Sequence, residues 1–265
     1  MEEILADSEL IKDDHIQVFK YQETYIIKKI PYSDWVKDYL IIEKDFLINA
    51  KKEWIDIHLI NKIIFKEDSI YVFYNYIKSE WEIDFFKVGQ NFKKLHEMEN
   101  KYDFPYQYSL ENKFIKSRII LKSLLWKEIL NKWDYIKKDV IENYWNEVQK
   151  RELNTIVHWD FNIWNIVAPN IIIDTEQILI WIPEMDISSF YRLWYRFWDK
   201  TAMRQLLLWY WYDKDIEYIK PFLFYKDFRS TIWTIINNKW DKWRISEIEN
   251  RINNWYNLDN KWVLY

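Results

Sequence analysis

The chain has 265 residues, 49% of them hydrophobic and 30% charged, with a net charge of −4 at neutral pH and no cysteine. That balance is too apolar for a disordered chain, its acidity argues against a protein that mainly grips a nucleic-acid backbone, and the absent thiols exclude disulfides and thiolate metal sites. No stretch approaches the length of a membrane span, and Met1-Glu2-Glu3 is not the basic start of a secretory signal, so a soluble cytoplasmic protein without membrane insertion is expected. In chain order, Ile16 to Phe19 and Thr24 to Lys28 alternate as two strands around a polar turn at Lys20 to Glu23. After Pro31, Ser33 or Asp34 caps a helix whose apolar residues Val36, Tyr39, Leu40, Phe46, Leu47 and Ala50 share one face, ending near Trp54. Ile60 to Phe65 and Ile70 to Tyr76 form a second hairpin. The period then turns helical through Phe85, Val88, Phe92 and Leu95, with longer helical patterns over 109–131 and 139–152. Three short β-prone pieces follow, 155–157, 171–173 and 177–181, before helices resume near Ser188. The expectation is an α+β chain, with a small β-rich lobe carrying one helix over 1–77 and a larger, mainly helical lobe over 78–265.

Two residue counts stand apart. There are 18 tryptophans and 1 glycine, where ordinary usage of about 7% would give roughly 18 or 19 glycines. Most written tryptophans therefore stand where glycine is expected, as results when a UGA codon read as glycine in the source is translated as tryptophan. Local context agrees: Asn254-Trp255, Lys239 to Trp243 and Asn260-Lys261-Trp262 look like turns, and a backbone with positive φ suits glycine and strains a bulky side chain. The competing reading is an aromatic-rich binder of sugars or single-stranded nucleic acid, which rests wholly on real tryptophans acting as stacking platforms.

His158-Trp159-Asp160-Phe161-Asn162-Ile163-Trp164-Asn165 fits the pattern H-x-D-x-x-x-x-N of a kinase catalytic loop, and Asp174 follows the apolar run Ile171-Ile172-Ile173. The chemistry explains the spacing. A carboxylate orients or accepts the proton of an attacking hydroxyl, while an amide oxygen on the same loop and a carboxylate from the next hairpin hold Mg²⁺. Asp160 would be the base, with Asn165 and Asp174 as metal ligands.

With tryptophan read as glycine, the loop becomes H-G-D-F-N-I-G-N and resembles that of the aminoglycoside phosphotransferase and choline kinase family, which has a protein-kinase-like two-lobed fold. Ile173-Asp174-Thr175-Glu176 resembles its I-D-x-E segment, and Pro183 to Ile187 its following acidic turn. Val88-Gly89 through Leu95-His96 resembles its G-x-x-L-x-x-L-H helix, with Phe92 in place of a leucine. Glu43, followed eleven residues later by Trp54, resembles the helix glutamate and the glycine that ends that helix. The resemblance covers about residues 16–200.

It implies an ATP- and Mg²⁺-dependent phosphotransferase acting on a small hydroxyl-bearing molecule. Lys28 would contact nucleotide phosphates with Glu43 as its ion-pair partner, and Lys29 would lie on the opposite face. Tyr74, Tyr76 and Ile77 would form a hinge offering backbone groups and a wall to adenine. His158 and Asp186 would support the catalytic loop structurally, and Glu176 would orient the site or assist the metal. Residues 1–34 contain neither glycine nor tryptophan, so no glycine-rich phosphate loop exists in the first hairpin. The alternatives are a catalytically silent kinase-like module and a protein kinase; no D-F-G or A-P-E segment supports the latter.

Overall fold

The computed structural model describes residues 1–13, 16–78, 82–104, 110–124, 127–167, 169–197, 200–210, 216–237 and 242–257. Among them, five strands form one antiparallel sheet in the order β1-β2-β3-β5-β4: β1 Glu9–Asp13, β2 Gln17–Tyr21, β3 Tyr25–Pro31, β4 Ile60–Phe65 and β5 Ser69–Asn75. A short helix, α1 (Glu2–Ala6), precedes the sheet, and Ile4 and Leu5 pack on its Ile27, Tyr71 and Phe73 core. Neither α1 nor β1 is expected from the sequence. Strand β1 is exposed at every position, so it carries no inside–outside alternation to read. It pairs with β2 in register Glu9 to Lys20 and Asp13 to Gln17, so this pairing precedes the polar turn at 22–24.

Helix α2 (Asp34–Lys52) begins where Ser33 Oγ accepts the amide of Val36, a side-chain N-cap, and buries Tyr39, Leu40, Glu43, Phe46, Leu47 and Ala50 along one face. Helix α3 (Phe85–Glu97) is capped by Asp84 and buries Val88, Phe92 and Leu95. Its Gly89 meets helix α7 (Lys200–Tyr210) so closely that a Cβ there would stand 2.6 Å from the Leu206 carbonyl oxygen. The strands β6 Thr155–Val157 and β9 Leu179–Trp181 pair antiparallel, as do β7 Ile166–Val167 and β8 Ile171–Ile172.

Two compact units emerge. The first comprises Met1–Pro105, Asn154–Asp186 and Lys200–Tyr212, and the second Tyr106–Leu153, Ile187–Asp199 and Asp213–Tyr265. The position between residues 77 and 78 thus falls inside the first unit. In the second unit, α4 (Leu110–Leu124) and α5 (Lys127–Val148) pack with α8 (Ile216–Asn237), and α5 also packs with α9 (Lys242–Asn257). Aromatic rings dominate its core: Trp133 lies 4.7 Å from Phe228, and Tyr144 stacks on Tyr225 at 3.8 Å. Helix α5 runs unbroken where a gap over 132–138 was expected, because Trp133, Ile136 and Val140 continue its buried stripe. Helix α6 (Glu184–Phe197) likewise starts four residues before Ser188.

Candidate active site

The segment between β6 and β7 carries the H-x-D-x-x-x-x-N residues, and its shape is fixed by a buried carboxylate. Asp186, fully buried at the start of α6, accepts the His158 amide on Oδ2 at 2.7 Å and the Trp159 amide on Oδ1 at 3.0 Å. The Nε2 of His96, on α3, meets the same Oδ2 at 3.0 Å, and its Nδ1 meets the Tyr210 hydroxyl at 2.6 Å. One carboxylate thereby satisfies both amides, as buried backbone donors require. Trp159 takes φ 66°, and the Asp160 amide donates back to the His158 carbonyl at 2.8 Å, so the chain reverses at Trp159 and delivers Asp160 directly after the turn. Phe92 packs its ring 4.5 Å from Phe161 and 6.1 Å from His158 beneath this turn.

Asn165 closes the loop from the other side. Its Nδ2 donates to the Asp160 carbonyl at 2.9 Å, joined by Asn162 Nδ2 at 3.1 Å. The Ile173 amide donates to the Asn165 carbonyl at 2.9 Å, and His158 Nε2 meets the Ile173 carbonyl at 3.0 Å. Ile173, which precedes Asp174, is therefore anchored by a backbone bond to Asn165 and by the His158 ring. With its NH₂ group engaged, Asn165 presents its Oδ1 as the acceptor, and Asp174 is more exposed than its neighbours at 43% of its side chain. An amide oxygen and a carboxylate are hard oxygen donors suited to Mg²⁺, which takes one or two protein oxygens and completes its shell with phosphates and water. Among the described residues no cluster of three or more His, Cys, Asp or Glu could hold a metal alone.

Lys28 Nζ reaches Asp174 Oδ1 at 2.5 Å and also pairs with Glu176 Oε1. Burial alone would pull the ammonium down, but Glu176 and Asp174 more than offset it and hold its pKa above the ordinary lysine value. Burial also opposes the reciprocal shift in Asp174, yet Lys28 keeps that carboxyl below the usual range. Glu43 is fully buried and accepts the Thr175 hydroxyl at 2.5 Å, so the hydrogen-bonded partners of Lys28 are Asp174 and Glu176 rather than Glu43. Burial pushes the Glu43 carboxyl up to about 8, with the Thr175 hydrogen bond working against the shift. The Tyr39 hydroxyl, on α2, donates to the Thr175 carbonyl at 3.0 Å and ties the same segment to that helix.

Tyr74 is buried, with Lys28 Nζ 5.3 Å from its ring centroid. The Tyr76 amide donates to the Thr24 carbonyl at 2.8 Å, its ring lies 4.6 Å from Lys20 Nζ, and the Asn75 carbonyl meets His58 Nε2 at 2.7 Å. Ile77 is half-buried just beyond the strand.

No family model and no curated protein matches the sequence. Solved structures do match it in fold. The GDP and kanamycin complex of the aminoglycoside phosphotransferase APH(2'')-IIIa aligns with TM-score 0.64 at 13% identity, covering 96% of this chain and 94% of that one. The ADP-bound APH(2'')-Ib gives 0.53 at 18% identity over 92% and 90%. APH(3'')-Id from Streptomyces rimosus, in complex with ADP and streptomycin, gives 0.58 at 14% identity over 85% and 93%. The chain has the aminoglycoside phosphotransferase fold. In that kinase-like frame Lys28, Glu43, Asp160, Asn165 and Asp174 belong to one compact unit, together with His158 and Asp186.

Nothing in the sequence marks Thr175 or Tyr210 for a role, and His96 stands out only within the G-x-x-L-x-x-L-H resemblance. A signal existed for His96: with 4 histidines in the chain, one on the buried side of a helix calls for a partner. Tyr210 and Tyr39 gave no such signal, since their acceptors come from distant segments.

Proposed function

We propose that this protein transfers the γ-phosphoryl group of ATP to a hydroxyl of a small molecule of the aminoglycoside, choline or sugar-like class. Residues 1–77 would serve as the nucleotide-binding lobe and 78–265 as the catalytic and substrate-binding lobe, in the cytoplasm. The fold neighbours, whose structures hold ADP, GDP or an aminoglycoside, support a phosphotransferase. The observation that carries the reading is the bonding of Asn165 to the Asp160 carbonyl and of Ile173 to the Asn165 carbonyl, which ties the base candidate to one metal-ligand candidate and that one to the residue preceding the other.

Asp160 aligns the acceptor hydroxyl and takes its proton; Asn165 and Asp174 hold Mg²⁺. Bound there, the cation neutralises charge on the phosphates. Lys28 exchanges its carboxylate partners for phosphate oxygens, with Glu43 behind it, and Tyr74, Tyr76 and Ile77 line the adenine side. His158 and Asp186 keep the loop in place. Most tryptophan positions are read as sites where glycine stands in the working protein.

The test is phosphate transfer from ATP to a panel of aminoglycosides, amino-alcohols and sugars by the parent and by Asp160→Asn. The expected result is Mg²⁺-dependent transfer that falls about 10²–10⁴-fold in the variant, the usual contribution of a positioned base. Equal rates in the two proteins would remove Asp160 from the mechanism.

A further inference from the structure

The backbone itself identifies two of the tryptophans. Among the described residues five have φ in the left-handed region: Gln22, Glu23, Trp54, Trp159 and Asp174. Gln22 and Glu23 are the two central residues of the Tyr21–Thr24 turn between β2 and β3, where successive positive φ values match the twist of a hairpin. Aspartate tolerates this conformation because its short carboxylate bonds locally. Tryptophan has no such compensation, and a bulky side chain there is an outlier that costs about 1–2 kcal/mol per residue.

Trp54 stands at a position with a defined geometric demand. Helix α2 ends with the Trp54 amide donating to the Lys51 carbonyl at 3.2 Å and the Ile55 amide to the Ala50 carbonyl at 3.1 Å. These are the paired 5→2 and 6→1 bonds of a Schellman motif, with residue 54 as the left-handed C′ residue at φ 60°. Ile55 and Ala50, both fully buried, supply its apolar contact. The Trp54 side chain is 83% exposed, so packing contributes little to hold a tryptophan there. At 159, φ 66° lets the amides of residues 158 and 159 reach both oxygens of Asp186 while the chain turns at 159 itself, the Asp160 amide closing back on the His158 carbonyl. Gly89 shows that the chain does place glycine where the backbone leaves no room for Cβ.

We infer that residues 54 and 159 are glycine in the protein as its own host makes it, each encoded by a codon that the host reads as glycine. The inference rests on the tryptophan-for-glycine reading above and is independent of the phosphotransfer reading, because its test reads residue mass and backbone strain rather than activity. Mass spectrometry of peptides spanning 54 and 159, from the chain isolated from its host, is expected to give the glycine mass at both. The tryptophan mass at either position overturns the inference. In the chain as written, Trp54→Gly is expected to raise the unfolding midpoint by about 2–6 °C. Trp54→Ala keeps a Cβ on the left-handed residue and gains less. An alanine variant as stable as the glycine variant, or a glycine variant less stable than the parent, contradicts the backbone argument.

Discussion

Asp186 is held by two backbone amides and the His96 ring and has no exposed surface, whereas Asp174 is held by one ammonium that it shares with Glu176 and keeps 43% of its side chain accessible. The difference separates architecture from chemistry. Backbone donors cannot leave without unfolding the loop, so Asp186 is fixed. An ammonium can change partners, so in the proposed reading Lys28 and Asp174 turn to a nucleotide while the loop beneath them stays as it is.

The sharpest way to break this contrast is Asp186→Ala, which strands the amides of 158 and 159 and the His96 ring in a buried site. A loss of about 3–5 kcal/mol in denaturant unfolding is expected, with activity lost alongside it. A stable Asp186→Ala protein would mean that the loop does not depend on this carboxylate. Gly89→Ala comes next, since its Cβ would press on the Leu206 carbonyl. Forced separation of α3 and α7 is expected to cost about 1–3 kcal/mol. Lys28→Ala should do the reverse of Asp186→Ala, lowering stability by only about 1 kcal/mol, since half-exposed Asp174 is screened by water, while lowering transfer at least tenfold. A variant that loses stability and activity together would erase the distinction.

The subtlest effect concerns Glu43. Its folded pKa is raised to about 8 from an ordinary 4.5, so the fold binds a proton that the unfolded chain releases. The associated stability is fully present below the unfolded value and is lost as pH rises through the folded one. Unfolding free energy should therefore decline between about pH 5 and pH 8 in the parent and be flatter in Glu43→Gln.

Much of this was legible in the sequence where one segment carries its own pattern. The buried stripe of α2, the second hairpin and the H-x-D-x-x-x-x-N run all lie within short windows, and periodicity or spacing is enough to read them. Strand β1 could not be read, because Glu-Leu-Ile-Lys-Asp on an exposed edge buries nothing. The charged run Asp134, Lys137, Lys138 and Asp139 hid the continuity of α5, although Trp133, Ile136 and Val140 carry its buried face. In the site, residues could be nominated but their pairings could not. Lys28 finds Glu176 from 148 positions away, and nothing local to either states that preference over Glu43.

The claim on which the rest depends is that Asn165 and Asp174 hold a magnesium–nucleotide complex beside Asp160. Calorimetric titration of ATP into the parent and into Asp174→Ala, each with and without Mg²⁺, tests it directly. Mg²⁺ is expected to tighten ATP binding at least tenfold in the parent and to have little effect in the variant. The same affinity with and without Mg²⁺ in the parent, or an equal gain in both proteins, would contradict it.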